Sequence, residues 1–118
     1  MRLTELKSIP AEDVLAYVQS RHENFNIPKT ITDHPTWRQT RVPLSQLHIP
    51  DDEPGEVEND PYNRVQIIDP DHVDNITRQD IERHPIVVDT NGWIIDGNHR
   101  AVAARLGGLF DIPAYIPA

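Results

Sequence analysis

Pro85-Ile86-Val87-Val88-Asp89-Thr90-Asn91-Gly92-Trp93-Ile94-Ile95-Asp96-Gly97-Asn98-His99-Arg100-Ala101-Val102-Ala103-Ala104-Arg105-Leu106-Gly107-Gly108 is the stretch that decides the fold. Pro85 to Asp89 is a β-branched strand, and Trp93 to Asp96 reads as its returning partner. Asn91-Gly92 between them is the dipeptide that tight hairpins demand. The chain then turns through Gly97 into a helix from Asn98 to Leu106, with Ala101, Val102, Ala104 and Leu106 on its apolar side and Gly107-Gly108 as its stop. Ile112 to Ile116 follows as a final strand. Strand, turn, strand, helix and strand in this order predict an α+β fold, a small mixed β-sheet with helices.

Working toward the N-terminus, Asp69-Pro70 is a helix opening, with an acid at the N-cap and proline at the first helical position. Val73, Thr77 and Ile81 at i, i+4 and i+8, with Ile76 beside them, predict one helix running through to Ile81. Arg64 to Ile68 reads as a short strand before it. Pro50 to Pro61 is too polar and broken to join a core and reads as a mobile loop or acidic flap. Val42 to Ile49 alternates well enough for an edge strand bounded by Pro43 and Pro50. Residues 25–41 show no period and read as an extended connection anchored by Trp37. Ile9 to Val18 predicts a first helix, with Val14, Leu15, Tyr17 and Val18 as its stripe, ending between Arg21 and Asn24. The division is therefore 1–41, an N-terminal helix and connection packing on the core, and 42–118, the domain proper. Residues 1–41 either cap the site or dock on the opposite face, and burial of Tyr17 and Trp37 near Gly97 would mark a lid.

The chain has 118 residues, 37% hydrophobic and 25% charged, enough for one core. It has no cysteine, which excludes disulfides, thiolate metal sites and thiol chemistry. Nineteen acidic residues against eleven Lys and Arg give a formal net charge of -8, so bulk attraction to nucleic acid is not expected. Arg outnumbers Lys among the cations, which suits point recognition of an anion. The six histidines show no His-x-His or His-Glu-x-x-His spacing, so no dedicated metal site is expected. No segment approaches the roughly 20 apolar residues that span a bilayer, and the expectation is a cytoplasmic protein with no membrane partner. Trp37 and Trp93 are candidates for stacking on a base, though Trp93 alternates with Ile94 and Ile95 as a packing residue would.

The chemistry concentrates at Asp96-Gly97-Asn98-His99-Arg100. A glycine turn between a strand and a helix N-terminus is where phosphates bind, because the first helical N–H groups lack intrahelical partners and the dipole favours negative charge. Gly97 lets the backbone approach, and His99 and Arg100 add donors. Asp96 is suited to orient a hydroxyl, accept a proton or hold magnesium. The same residues also read as a plain strand-to-helix turn with an Asn cap.

From Val42 to Ile116, and most from Pro85 onward, the chain resembles the ParB/sulfiredoxin-like superfamily. The resemblance rests on Pro85-Ile86-Val87-Val88, Gly97-Asn98-His99-Arg100, Ala101 to Ala104, Gly107 and Ile112-Pro113 in that order. Sulfiredoxins carry Gly-Cys-His-Arg, and Asn98 at the cysteine position excludes their reaction. Chromosome-partitioning proteins carry Gly-Glu-Arg-Arg and bind cytidine triphosphate. This chain shares only Gly97 and Arg100 with them and ends at Ala118 without a helix-turn-helix, so a full partitioning factor is not expected. Free-serine kinases carry Asp-Gly-x-His-Arg, which matches Asp96 to Arg100 at every fixed position. The kinases also use an upstream carboxylate as base, for which Glu53, Asp69 and Asp71 are all open. Arg64 falls where such domains place a second phosphate-contacting arginine.

The resemblance thus implies binding of a nucleoside triphosphate or diphosphate (ATP, ADP or CTP) with Mg²⁺, for hydrolysis or phosphoryl transfer. Asp96, His99, Glu53 and Asp69 would be catalytic. Gly97, Asn98, His99, Arg100 and Arg64 would hold the nucleotide. The alternatives are a ParB-like protein acting on DNA or RNA, which the net charge disfavours, and a catalytically inactive acidic adaptor or inhibitor with a protein partner.

Overall fold

Ile86, Val87 and Val88 alternate across a strand and all three are buried, so both faces of its sheet must be covered. The computed structural model describes residues 8–21, 27–50, 55–56, 61–62, 65–66 and 68–118. In chain order these form β1 (Ile9–Pro10), α1 (Ala11–Arg21), α2 (Lys29–Thr32), β2 (Thr36–Pro43), a 3-10 turn (Leu44–Gln46), β3 (Gly55–Glu56) and β4 (Val65–Gln66). Then come α3 (Pro70–Asn75), α4 (Arg78–Arg83), β5 (Ile86–Val88), β6 (Ile94–Asp96), α5 (Asn98–Leu106) and β7 (Asp111–Pro117). The architecture is α+β. Five strands make one mixed sheet in the order β1-β2-β7-β5-β6, parallel between β5 and β7 and antiparallel elsewhere. β3 and β4 pair separately.

Strand alternation assigns the two covers. Val87, Ile95 and Trp37 turn to one face, where Ala11, Val14 and Val18 of α1 and Ile31 of α2 meet them. Ile86, Val88, Ile94, Ile112 and Ala114 turn to the other, against Ile81 of α4 and Ala101 and Ala104 of α5. The two alanines let α5 lie close to the sheet, while its Val102 faces Ile68 and Val73 at α3. Each fully buried branched side chain contributes roughly 1.5–3 kcal/mol. Arg41 of β2 ties the layers at the surface, donating to both carboxylate oxygens of Glu82 (2.7 and 3.0 Å) and to Asp111 (2.9 Å).

The hairpin, α5 and β7 form where expected. The hairpin closes through Asp89, whose Oδ1 accepts from the N–H groups of Asn91 and Trp93. α5 stops in a Schellman arrangement, in which Leu109 N–H donates to Ala104 O and Gly108 N–H to Arg105 O, with Gly108 at φ +72°.

Four expectations are corrected. Residues 25–41 are not merely an extended connection: they hold α2 and most of β2, and β2 is an inner strand between β1 and β7. The edge strand expected over 42–49 ends at Pro43 and gives way to the 3-10 turn, leaving a single bridge from His48 to Trp93. The helix expected to run from Pro70 through Ile81 is two helices. Thr77 caps the second, accepting from Asp80 N–H while the Asp80 carboxylate accepts from Thr77 N–H, which fixes Thr77 extended and breaks the run. Leu106, placed on the apolar side of α5, is 60% exposed because the chain has already turned away from the sheet. The strand expected from Arg64 is present as β4 (Val65–Gln66), paired with Gly55–Glu56 of the acidic flap, and most of the rest of the flap lies outside the described residues. No helix among the described residues is long and apolar enough to cross a membrane.

Candidate functional site

β6 ends on Asp96 and α5 begins at Asn98, so Gly97 alone makes the turn. It does so at φ +107°, and a Cβ there would lie 2.4 Å from Ile86 Cγ2 and 2.9 Å from Arg100 Nη2. Glycine is therefore required twice over, by its backbone angle and by the approach of β5. As the N-cap residue it has no side chain with which to cap the helix.

Arg100 lies in the first turn of α5, and its side chain runs back toward the strands, as long side chains on helices do. Nη2 donates to Pro85 O and to Asp96 Oδ2, each at 3.3 Å. Arg100 is 6% exposed and Asp96 5%, so this is a buried ion pair at the edge of hydrogen-bond length. The Nε of Arg100 is buried with no partner. A guanidinium carries five donors, and leaving a buried one unused costs about 1–3 kcal/mol.

Pro85 O accepts a second bond, from Tyr17 Oη at 2.7 Å. Burial raises the proton affinity of the phenol, opposed by the nearby Arg100 and Arg21 guanidinium groups. Arg21 Cζ sits 5.9 Å from the centroid of the Tyr17 ring. His84, the residue before Pro85, is held below the ordinary histidine range by burial and then by the charges of Arg21 and Arg100. α1 thus docks on the face opposite α5, and of the lid criterion only Tyr17 reaches the Gly97 side. Trp37 is fully buried with Val87 and Ile95, and Trp93 is stacked on His48 at 3.9 Å.

His99 and Asp69 come together at the other rim. Asp69 N–H donates to His99 Nε2 at 3.1 Å, and the His99 ring stacks on His72 at 4.4 Å. An imidazole that accepts at Nε2 carries its proton on Nδ1 when neutral. The Asp69 carboxylate is exposed and caps α3, accepting from Asp71 and His72 N–H groups. Five of the expected residues, Asp96, Gly97, Asn98, His99 and Arg100, therefore share one strand-to-helix junction, and Asp69 borders it. Glu53 and Arg64 lie outside the described residues.

Tyr17, His84 and the Pro85 carbonyl were not read from the sequence as site groups. A main-chain carbonyl leaves no signal in residue identity, and Tyr17 stands 68 positions from Pro85. A separate shallow hollow of about 580 Å³, lined by Gln39, Thr40, Arg41, Glu82 and Pro113, shares no residue with this junction. Its arginine is already engaged by two carboxylates.

An anion suits the junction, since Arg100, in the first turn of α5, has a donor to spare. A directly held metal ion finds less: among the described residues no three His or acidic side chains converge. Comparison with family models, with curated proteins and with solved structures finds no match.

Proposed function

We propose that this chain is a ParB/sulfiredoxin-like domain that binds a nucleotide by its phosphates at the start of α5 and hydrolyses it or transfers a phosphoryl group. The carrying observation is Arg100, a guanidinium more than nine-tenths buried whose Nε has no partner and whose Nη2 makes only long bonds. Desolvating a cation this far is costly unless an anion compensates it, and Asp96 alone compensates incompletely. The first turn of α5 supplies the helix dipole at the same point.

In this reading Asp96 positions Arg100 and does not act as the free base. Water or an acceptor hydroxyl attacks the terminal phosphorus, the bond to the bridging oxygen breaks, and the attacking oxygen loses its proton to a carboxylate. Of the described candidates, Asp69 and Asp71, it is Asp69 that stands beside His99. Catalysis would be positioning and charge neutralisation, with Mg²⁺ carried by the nucleotide supplying further charge.

A second reading is favoured by one observation, the burial of Asp96 against Arg100. A carboxylate so engaged fits an inactive adaptor that keeps the junction as a structural clasp and uses its acidic surface for a protein partner. Calorimetric titration with ATP, ADP, CTP and GTP, with and without Mg²⁺, separates the two. Micromolar binding to the wild type, lost in Arg100→Lys with the fold retained, supports the nucleotide site. Absence of binding to any of the four moves the adaptor reading to first place.

A further inference from the structure

We propose that the outer edge of β2, at Gln39 and Arg41, is a slot for one added strand, supplied by an extended acidic segment of a partner protein. The slot shares no residue with the Arg100 junction and stands or falls apart from the phosphate reading.

The pairing of β2 with β7 shows which main-chain groups are left over. Antiparallel partners alternate between pairs that exchange hydrogen bonds and pairs that do not. Ala118 N–H donates to Thr36 O and Leu44 N–H to Phe110 O, each at 3.0 Å, so the bonded positions toward β7 are the even-numbered ones. Proline, which has no N–H to give, agrees: Trp37↔Pro117, Arg41↔Pro113 and Pro43↔Asp111 all fall on the odd pairs. Arg38, Thr40 and Val42 therefore bond inward to β7, while Trp37, Gln39 and Arg41 turn their main-chain groups outward. β1 meets only Thr36 and Trp37. Among the described residues nothing meets the outward N–H and C=O groups of Gln39 and Arg41. At the opposite edge of the sheet β6 is buried along its length, and the bridge from His48 to Trp93 lies just before it.

A bare edge is a template for another strand, and extended peptides are recognised by adding to one. This edge is short, closed at one end by Ile9 and at the other by Pro43, so it suits a peptide better than an open-ended sheet. The shallow hollow lined by Gln39, Thr40, Arg41, Glu82 and Pro113 runs along it and leaves room for a side chain opposite Thr40. Charge selects the occupant. β2 carries Arg38 and Arg41 and no acid. Arg41 is already engaged by Glu82 and Asp111, whereas Arg38 is exposed with no carboxylate within 4.0 Å among the described residues. A carboxylate opposite Thr40 would be the diagonal neighbour of Arg38, within reach of two long side chains. A second copy of β2 fits worse. Each antiparallel register that pairs Gln39 with a β2 residue either runs the copy into Ile9 or sets Arg41 directly against Arg41 of the copy, where like charges repel.

The test is amide hydrogen exchange and binding on the full chain, with capped six-residue peptides as probes: one alternating Glu and Val, one alternating Lys and Val, and the Glu peptide with its main-chain nitrogens methylated. In the dilute free chain the Gln39 and Arg41 amides are expected to exchange fast, while those of Arg38, Thr40 and Val42 exchange slowly. The Glu peptide should protect Gln39 and Arg41 and bind about tenfold or more tighter than the Lys and methylated peptides. Gln39→Pro removes an outward N–H that β7 does not use, so the fold should hold and binding should be lost. Arg38→Glu should abolish the preference for Glu over Lys. Protection of Gln39 and Arg41 already in the dilute chain would mean that the chain fills its own edge, and protection that grows with protein concentration would mean a second copy; either overturns the proposal. Equal binding of the Lys or the methylated peptide, or no binding of any peptide, overturns it as well.

Discussion

Replacing Gly97 with alanine tests whether the strand-to-helix junction is as tightly built as its geometry says. The residue sits at φ +107°, which costs an L-amino acid about 1–2 kcal/mol. The new methyl would lie 2.4 Å from Ile86 Cγ2, and Ile86 is fully buried in the sheet, so relief requires a backbone shift. Overpacking of this kind costs roughly 1–3 kcal/mol more. The total is about 2–5 kcal/mol, or roughly 8–20 °C in Tm for a domain of this size. Gly108→Ala is the internal control, since φ there is +72° but nothing lies within 4 Å of the added carbon. Only the backbone cost of about 1–2 kcal/mol applies there. Thermal and urea unfolding of both variants give the comparison. A Gly97→Ala loss no greater than that of Gly108→Ala would show that β5 does not close on the turn, and the geometry of Arg100 would go with it.

Two further outcomes are expected. Asp96→Ala leaves the Arg100 charge buried without its carboxylate and should lower stability by about 3–5 kcal/mol by urea denaturation, with Asp96→Asn losing less. His84 is held below the ordinary histidine range in the folded state, so the unfolded chain takes up its proton first as pH falls. Stability should decline on acidification below about pH 6.5, and His84→Gln should flatten that part of the curve; an unchanged slope would contradict the assignment.

The legibility of the chain differed by element for physical reasons. β5, β6 and α5 carry local signals that agree with their tertiary setting: β-branched runs, Asn91-Gly92 and the double glycine after Leu106. β2 does not. Along Thr36–Pro43 only Trp37 and Val42 are buried, so no hydrophobic period is visible, and the strand is held by main-chain pairing with β7 from Trp37↔Pro117 to Pro43↔Asp111. Val73, Thr77 and Ile81 share a helical spacing, yet Thr77 and Asp80 cap a new helix between them. The Thr-x-x-Asp pattern is present in the sequence, but the expectation rested on the apolar spacing alone. At the site, Asp96 to Arg100 were readable because one turn holds them together. The engagement of Asp96 by Arg100 was not, since i,i+4 spacing permits a pair without saying that both partners are buried. Tyr17 was readable as part of an apolar stripe and as a lid marker, but its hydrogen bond was not, because its hydroxyl meets a carbonyl from a distant element.

The central claim is that the buried Arg100 Nε–H awaits an anionic acceptor. Its signal in an ¹H–¹⁵N spectrum, assigned by its loss in Arg100→Lys, can be followed directly while Mg²⁺-ADP is added. The account predicts a downfield shift that saturates together with shifts of the Asn98, His99 and Arg100 amides. An Nε–H signal that stays in place at saturating nucleotide, or shifts confined to residues away from the start of α5, would contradict it.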